Sequence, residues 1–152
     1  MLSRKRSKEY FSDGIIELRL KKVERKHHLF PLSYQYNIYK YQSDELVGRC
    51  DYRCQNNREN YYAGNIGYMI LPAYRGNGYA LMASRLLCDL ARQLKADKVY
   101  ITCSPDNLAS KKTIEKLDVN FIEEAAVPED HFLFFQGEKI KDIYIVNLKK
   151  YP

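Results

Sequence analysis

Hydrophobic and polar positions alternate through the first third of the chain and then change period. In "GIIELRLKKVE" (Gly14–Glu24), Ile16, Leu18 and Leu20 fall on one side and Glu17, Arg19 and Lys21 on the other, as in a half-buried strand. "SYQYNIYKY" (Ser33–Tyr41) alternates through Tyr34, Tyr36, Ile38 and Lys40, and "QSDE" supplies a turn. "LVGRCDYRC" (Leu46–Cys54) predicts a third strand, followed by a second polar turn, "QNNREN" (Gln55–Asn60). Short polar connections favour an antiparallel meander. The nearly all-apolar "NIGYMIL" (Asn65–Leu71) predicts a central strand buried on both faces.

Beyond Gly78 the period becomes helical. Tyr79, Met82, Ala83, Leu86, Leu87, Leu90 and Leu94 recur at three- and four-residue steps, with Arg85, Asp89, Arg92 and Gln93 opposite. A short β-branched strand follows at "KVYITCS" (Lys98–Ser104). "SPDNLASKKTIEKL" then predicts a second helix, with Ser104 as N-cap, Pro105 at the first helical position and an end near Leu117. Two strands close the chain, "FIEEAAV" (Phe121–Val127) and "KDIYIVNL" (Lys141–Leu148), separated by the loop "PEDHFLFFQGEK". The order predicts a mixed α/β (α+β) fold: one domain over residues 14–152, with residues 1–13 as a basic lead-in and a source of flexibility.

Composition narrows the class. The 152 residues suit a single core. No apolar run approaches the roughly 20 residues of a membrane helix, and nothing apolar follows the basic start as in a secretory signal. A cytoplasmic protein without a membrane partner is the expectation. Cys50, Cys54, Cys88 and Cys103 include no C-x-x-C pair, and His27, His28 and His131 lack zinc-ligand spacing relative to them. Reduced, packed thiols and no metal are expected. Residues 1–30 hold nine Lys/Arg against four acids, or +5 of the net +6. Such a segment can meet an acidic partner, but reads first as solvated chain.

One stretch asks for special chemistry. In "LPAYRGNGYA" (Leu71–Ala80) two glycines lie between an apolar strand and a long helix. Helix starts leave backbone N–H groups unpaired at the positive end of the helix dipole, and glycines let an anion approach them closely. Arg75 adds a full charge. The stretch lacks the G-K-[ST] ending of a nucleoside-triphosphate loop and does not follow G-x-G-x-x-G. A phosphate or pyrophosphate seat is expected, the alternative being a plain strand-to-helix turn.

Arg75-Gly76-Asn77-Gly78-Tyr79-Ala80 matches R/Q-x-x-G-x-G/A. Preceded by "GYMILPAY", it resembles the acetyl-coenzyme A loop of the GNAT superfamily of N-acetyltransferases. About 30 residues on, "ITCSPDNLASKKTIEKLDVNF" resembles that family's next strand and helix, through Asn107, Ser110 and Glu115-Lys116-Leu117. The resemblance covers roughly residues 65–148. It implies a mostly antiparallel sheet with a splayed central strand pair and flanking helices, and acetyl-CoA as cosubstrate. It also implies that the loop amides from Arg75 to Ala80 hold the pyrophosphate. The backbone of Met69, Ile70 and Leu71 would pair with the pantetheine, with Asn107 and Ser110 across the cleft.

The family's catalytic pattern is incomplete here. Ile114 stands where a proton-donating Tyr is common, leaving Ser104, Cys103 and Ser110 as candidates. Asn65 lies close to where many relatives carry a Glu base, and could only orient a water. His131 has a suitable intrinsic pKa as base, its plainer reading being a surface-loop histidine. After the second helix Asn120 replaces a frequent Gly and could adopt the left-handed conformation. "RKHHLFPL" is short for the two helices that often wall the acceptor site, so an open acceptor side is expected. The leading expectation is direct acetyl transfer to a primary amine, of a small molecule or a protein N-terminus. The alternative is a CoA-binding or regulatory module with weak or no catalysis. A nucleic-acid-binding domain, suggested by the basic start and fourteen tyrosines, lacks a motif and is disfavoured. A homodimer is compatible with the sequence.

Overall fold

The structure, a computed structural model, describes residues 8–25 and 32–150. His27, His28 and most of "RKHHLFPL" lie outside the described residues, as does the start of the basic lead-in. Within the segment read as lead-in, Tyr10–Ser12 forms a short strand, β1. It is followed by β2 (Ile16–Arg25), β3 (Leu32–Lys40) and β4 (Leu46–Arg53), then α1 (Arg58–Ala63) and β5 (Ile66–Ile70). A tight helical turn, Pro72–Tyr74, leads to α2 (Tyr79–Gln93) and β6 (Lys98–Cys103). The chain continues through α3 (Leu108–Glu115), β7 (Asn120–Ala126), α4 (Phe132–Phe135) and β8 (Ile140–Asn147).

Strands β1-β2-β3-β4-β5 form one antiparallel sheet in chain order, and β6-β8-β7 form a second. This is the mixed, mostly antiparallel architecture with flanking helices. The alternation seen in sequence sorts the first sheet into two faces. Ile16, Leu18, Tyr36, Ile38, Val47 and Tyr52 are buried on the inner face. There α2 covers them with Ala83, Leu86, Leu87, Leu90 and Ala91, while Arg85 and Asp89 remain exposed. A fully buried leucine is worth about 1.5–3 kcal/mol, so this face of α2 anchors the fold.

Three local expectations change. "QNNREN" is not a plain turn but contributes to α1. Asn57 caps it by accepting the Asn60 N–H at 2.9 Å, and Gly64, at φ +82°, closes it with an N–H to the Asn60 carbonyl at 2.7 Å. Asn107, not Ser104, is the N-cap of α3, accepting the Ser110 N–H at 3.1 Å, because the Pro105–Asp106 turn precedes the helix. Asn120 does not take a left-handed conformation: α3 ends at Lys116 in right-handed geometry, and Asn120 is already the first residue of β7. The loop before the last strand also contains α4, capped by His131.

The two sheets meet at Asn65. Its N–H donates to the Tyr100 carbonyl at 2.8 Å, and its side-chain oxygen accepts the Tyr100 N–H at 2.7 Å. Its Nδ2 donates to the carbonyls of Arg53 and Gln55, both at 2.9 Å, while its own carbonyl accepts the Arg53 N–H at 2.7 Å. Next to it Thr102 donates to the Tyr62 carbonyl at 2.7 Å. Past this clasp β5 and β6 share no ladder, so the sheet opens as a wedge. Asn65 is fully buried, and removing its side chain strands several backbone partners away from water. Asn65→Ala should cost about 2–4 kcal/mol in chemical denaturation. A loss below about 0.5 kcal/mol, ordinary for a surface position, would show that the clasp is dispensable.

Candidate functional site

The wedge is a cleft of about 680 Å³. One wall is β5, the other is β6 with α3, and the mouth is the glycine loop entering α2. In the antiparallel register, Leu71 donates to the Val47 carbonyl at 2.9 Å, and Met69 and Gly67 stand opposite Arg49 and Asp51. Backbone groups on that parity therefore point into the β4 ladder. Those of Tyr68 and Ile70 point to the free edge and the cleft. The backbone groups of Met69 and Leu71, expected to face the cleft, are thus turned into the β4 ladder, and the free edge is lined by those of Tyr68 and Ile70. Met69 still borders the cleft, whereas Leu71 does not. The strand expected to be buried on both faces is half-buried over Gly67–Met69, because it borders open space.

The loop has the geometry that its glycines suggest. Gly76 and Gly78 have φ of +85° and +76°, and Gly78 is the left-handed N-cap of α2. A β-carbon on Gly76 would meet nothing within 4 Å, and one on Gly78 only the Met82 methyl at 3.9 Å. Backbone conformation, not crowding, selects glycine here. No side chain caps α2, so the N–H groups of its first turn stay directed at the mouth. Arg75 donates through Nε to the Ile70 carbonyl at 3.1 Å, which fixes its guanidinium beside the free edge of β5. Asn77 points elsewhere, donating to the Tyr74 carbonyl at 2.9 Å, and does not border the cleft.

On the far wall stand Asn107 and Ser110, with Lys112 and Lys116 one helical turn apart. Lys112 was not singled out in the sequence and Lys116 only within Glu115-Lys116-Leu117, although their four-residue spacing puts them on one helix face. With Arg75 they make the cleft electropositive around an uncapped helix start, an arrangement suited to a polyphosphate.

Tyr68 was also missed in the sequence. Its hydroxyl crosses the cleft to Ser110 Oγ at 2.8 Å. Burial pushes its pKa above the ordinary 10.0, partly offset by the bond to Ser110. A phenol that stays protonated can donate a proton inside the wedge. Ile114, where a Tyr might have been sought, is fully buried in the core.

Of the five candidate catalytic side chains from the sequence, Ser110 borders the cleft, whereas Asn65, Cys103, Ser104 and His131 do not. Asn65 spends its side chain on the clasp. His131 is fully buried rather than on the surface: Nδ1 accepts the Leu133 N–H at 3.1 Å, and Nε2 lies 3.2 Å from both the carbonyl and a carboxylate oxygen of Glu59. Its ring stacks on Phe132 with centroids 4.7 Å apart. Ser104 reaches only Glu138, at 3.4 Å. Cys103 is buried with its pKa raised by burial, and Cys50, Cys54 and Cys88 are raised for the same reason. None offers the thiolate that an acyl-cysteine would need. Among the described residues no cluster of His, Cys, Asp and Glu could hold a metal, and no helix is long and apolar enough to cross a membrane.

Known proteins share this arrangement of elements. A ribosomal-protein-S5-alanine acetyltransferase from Vibrio fischeri superposes with a TM-score of 0.67 at 14% identity, over 94% of this chain and 98% of that one. A chimera of the spermidine N-acetyltransferase of Vibrio cholerae gives 0.65 at 12% identity, over 90% and 98%. A GNAT-family acetyltransferase from Bacillus anthracis gives 0.61 at 19% identity, over 76% of this chain and 66% of that one. These likenesses concern the fold. No curated protein sequence matches at a significant level. The family description "Acetyltransferase (GNAT) domain" matches residues 2–120, well over half of the sequence. The chain therefore belongs to the GNAT family of acetyltransferases, a class of acyltransferase enzymes.

Proposed function

We propose that the protein moves an acetyl group from acetyl-CoA to a primary amine by direct attack within the wedge. The observation that carries this reading is the uncapped, glycine-opened start of α2 facing a cleft whose other side holds a protonated phenol. Residues Arg75, Gly76, Gly78, Tyr79 and Ala80 would hold the pyrophosphate, with Lys112 and Lys116 adding charge from α3. The free edge of β5 at Tyr68 and Ile70 would offer main-chain partners to the pantetheine, and Asn107 and Ser110 would flank it. Asn107 keeps an amide nitrogen for this after its oxygen has capped α3.

The reaction then needs little covalent help from the protein. The amine nitrogen attacks the thioester carbon, a C–N bond forms and the C–S bond breaks. The departing sulfur takes a proton from the Tyr68 hydroxyl, and the proton lost by the amine leaves to solvent. Solvent returns a proton to Tyr68 by way of Ser110. With cysteines whose thiols burial or partial burial keeps protonated, the reading has no acyl-enzyme step.

Two experiments test it. Gly78→Val forces a β-branched residue to a φ of +76°. This should displace the first amides of α2 and weaken coenzyme A binding in calorimetry about 100-fold or more, with a far-ultraviolet spectrum like that of wild type. Unchanged affinity would refute the phosphate seat. Tyr68→Phe should lower kcat by about 10²–10⁴-fold with little change in coenzyme A affinity. Because the Tyr68 pKa is raised, its acid form persists at neutral pH and is lost only above pH 10. The wild-type rate should therefore fall above that pH, and the variant should lack this limb. If Tyr68→Phe matches wild type, Tyr68 is not the donor. If coenzyme A binds but no amine accelerates thiol release, the chain is a CoA-binding module.

A further inference from the structure

On the outer face of the five-stranded sheet lies a second hollow, a polar trough of about 740 Å³. It shares Arg53, Gly67, Tyr68 and Met69 with the wedge, so the two spaces meet along β5. Gly67 is the meeting point. A β-carbon there would fall 2.6 Å from Asp51 Oδ1 and 2.8 Å from an Arg53 guanidinium nitrogen. Asp51 and Arg53, paired at 3.2 Å, therefore lie directly over a strand position that has no side chain of its own. Any larger residue would push this pair away and narrow the passage.

The trough is charged in an ordered way. Asp51 is its carboxylate, beside the passage. Arg49 stands two residues away along β4, about 7 Å, and Lys21 stands two strands across on β2, about 10 Å. Between them Gln35 and Asn37 supply neutral amides. Lys21 is exposed and sits at a bulge: Leu20 pairs with Tyr36 and Lys22 with Gln35, leaving Lys21 as the extra residue. Among the described residues neither Lys21 nor Arg49 forms an ion pair.

Resting on the acetyl-transfer reading, we infer that this trough receives the acceptor, and that the acceptor is the N-terminus of an acidic peptide. The amine enters at Asp51, next to the passage into the wedge. Acidic side chains at the following positions meet Arg49 and then Lys21. A residue in an extended peptide advances about 3.3 Å, so the two cations suit roughly the third and fourth residues. A free acidic amino acid is too short to reach Lys21. A polyamine would bring positive charge to both unpaired cations, and like charges at close range suppress binding.

Thiol release from acetyl-CoA with a set of amines tests the assignment. A peptide with acidic residues at positions three and four should exceed its lysine counterpart, free glutamate and spermidine in kcat/KM by about tenfold or more. The advantage should shrink as salt rises. The double substitution Lys21→Glu and Arg49→Glu should reverse the preference between the two peptides while coenzyme A affinity stays within about twofold, which also reports that the variant is folded. If that variant does not bind coenzyme A, Arg49→Gln should abolish most of the preference instead. Equal use of acidic and basic peptides, superior use of spermidine or glutamate, or a preference that survives the substitutions would overturn the inference and leave acetyl transfer intact. Failure of the wild-type chain to bind coenzyme A, or to acetylate any amine, would overturn the transfer reading and this one with it.

Discussion

Everything in this molecule depends on two strands being held together at one end and kept apart at the other. Unpaired strand edges are costly unless something else satisfies them, and adjacent strands in a sheet ordinarily zip along their length. Here Asn65 joins β5 to β6 through both its main chain and its amide, while anchoring itself to the end of β4. Gly64 makes the joint tight: a β-carbon there would sit 3.3 Å from the Thr102 nitrogen and 3.4 Å from the Tyr100 carbonyl oxygen. Past the joint the edges diverge, α2 and α3 take up the space on either side, and a free strand edge becomes available to a ligand.

The wedge and the trough divide the chemistry by charge. Around the mouth, Arg75, the start of α2, Lys112 and Lys116 create a positive region fit for phosphates. Across β5 the trough is mixed, with the Asp51–Arg53 pair beside the passage and Arg49 and Lys21 further out. The two regions meet along β5, an edge strand of its sheet, and Gly67, which borders both, leaves room for the Asp51–Arg53 pair to lie over it. Tyr68 and Met69, its successors on β5, point to opposite faces of the same strand. Tyr68 turns inward to Ser110, whereas Met69 stands on the parity of the Asp51–Arg53 surface.

Buried groups that look reactive in the sequence are tied into structure. His131 caps α4 and packs between Tyr62 and Phe132, with both ring nitrogens occupied. The cysteines are packed thiols whose burial disfavours the charged form. Asn65 is a joint and not a water-orienting residue. The groups left free to act are those that border open space, and Tyr68 is the titratable one that burial keeps protonated.

The sequence by itself determined the longer strands and helices and their order, because strand alternation and helical spacing are local consequences of which side of each segment is buried. It also determined the glycine loop: positive φ at Gly76 and Gly78 and an unfilled helix start are properties of a few adjacent residues. Asn57 and Asn107 were readable as caps in principle, yet the short α1 was hidden inside a polar run and Pro105 pointed to an earlier start for α3. What only the tertiary structure decided is which distant residues face one another. Asn65 meets Tyr100, Tyr68 meets Ser110, and Lys21 joins Arg49 and Asp51 on one surface through a bulge and two strand registers. Those pairings depend on how sheets pack and where a ladder stops, which no local pattern records, so the glycine loop could be found from sequence while the side chains that share its cleft could not.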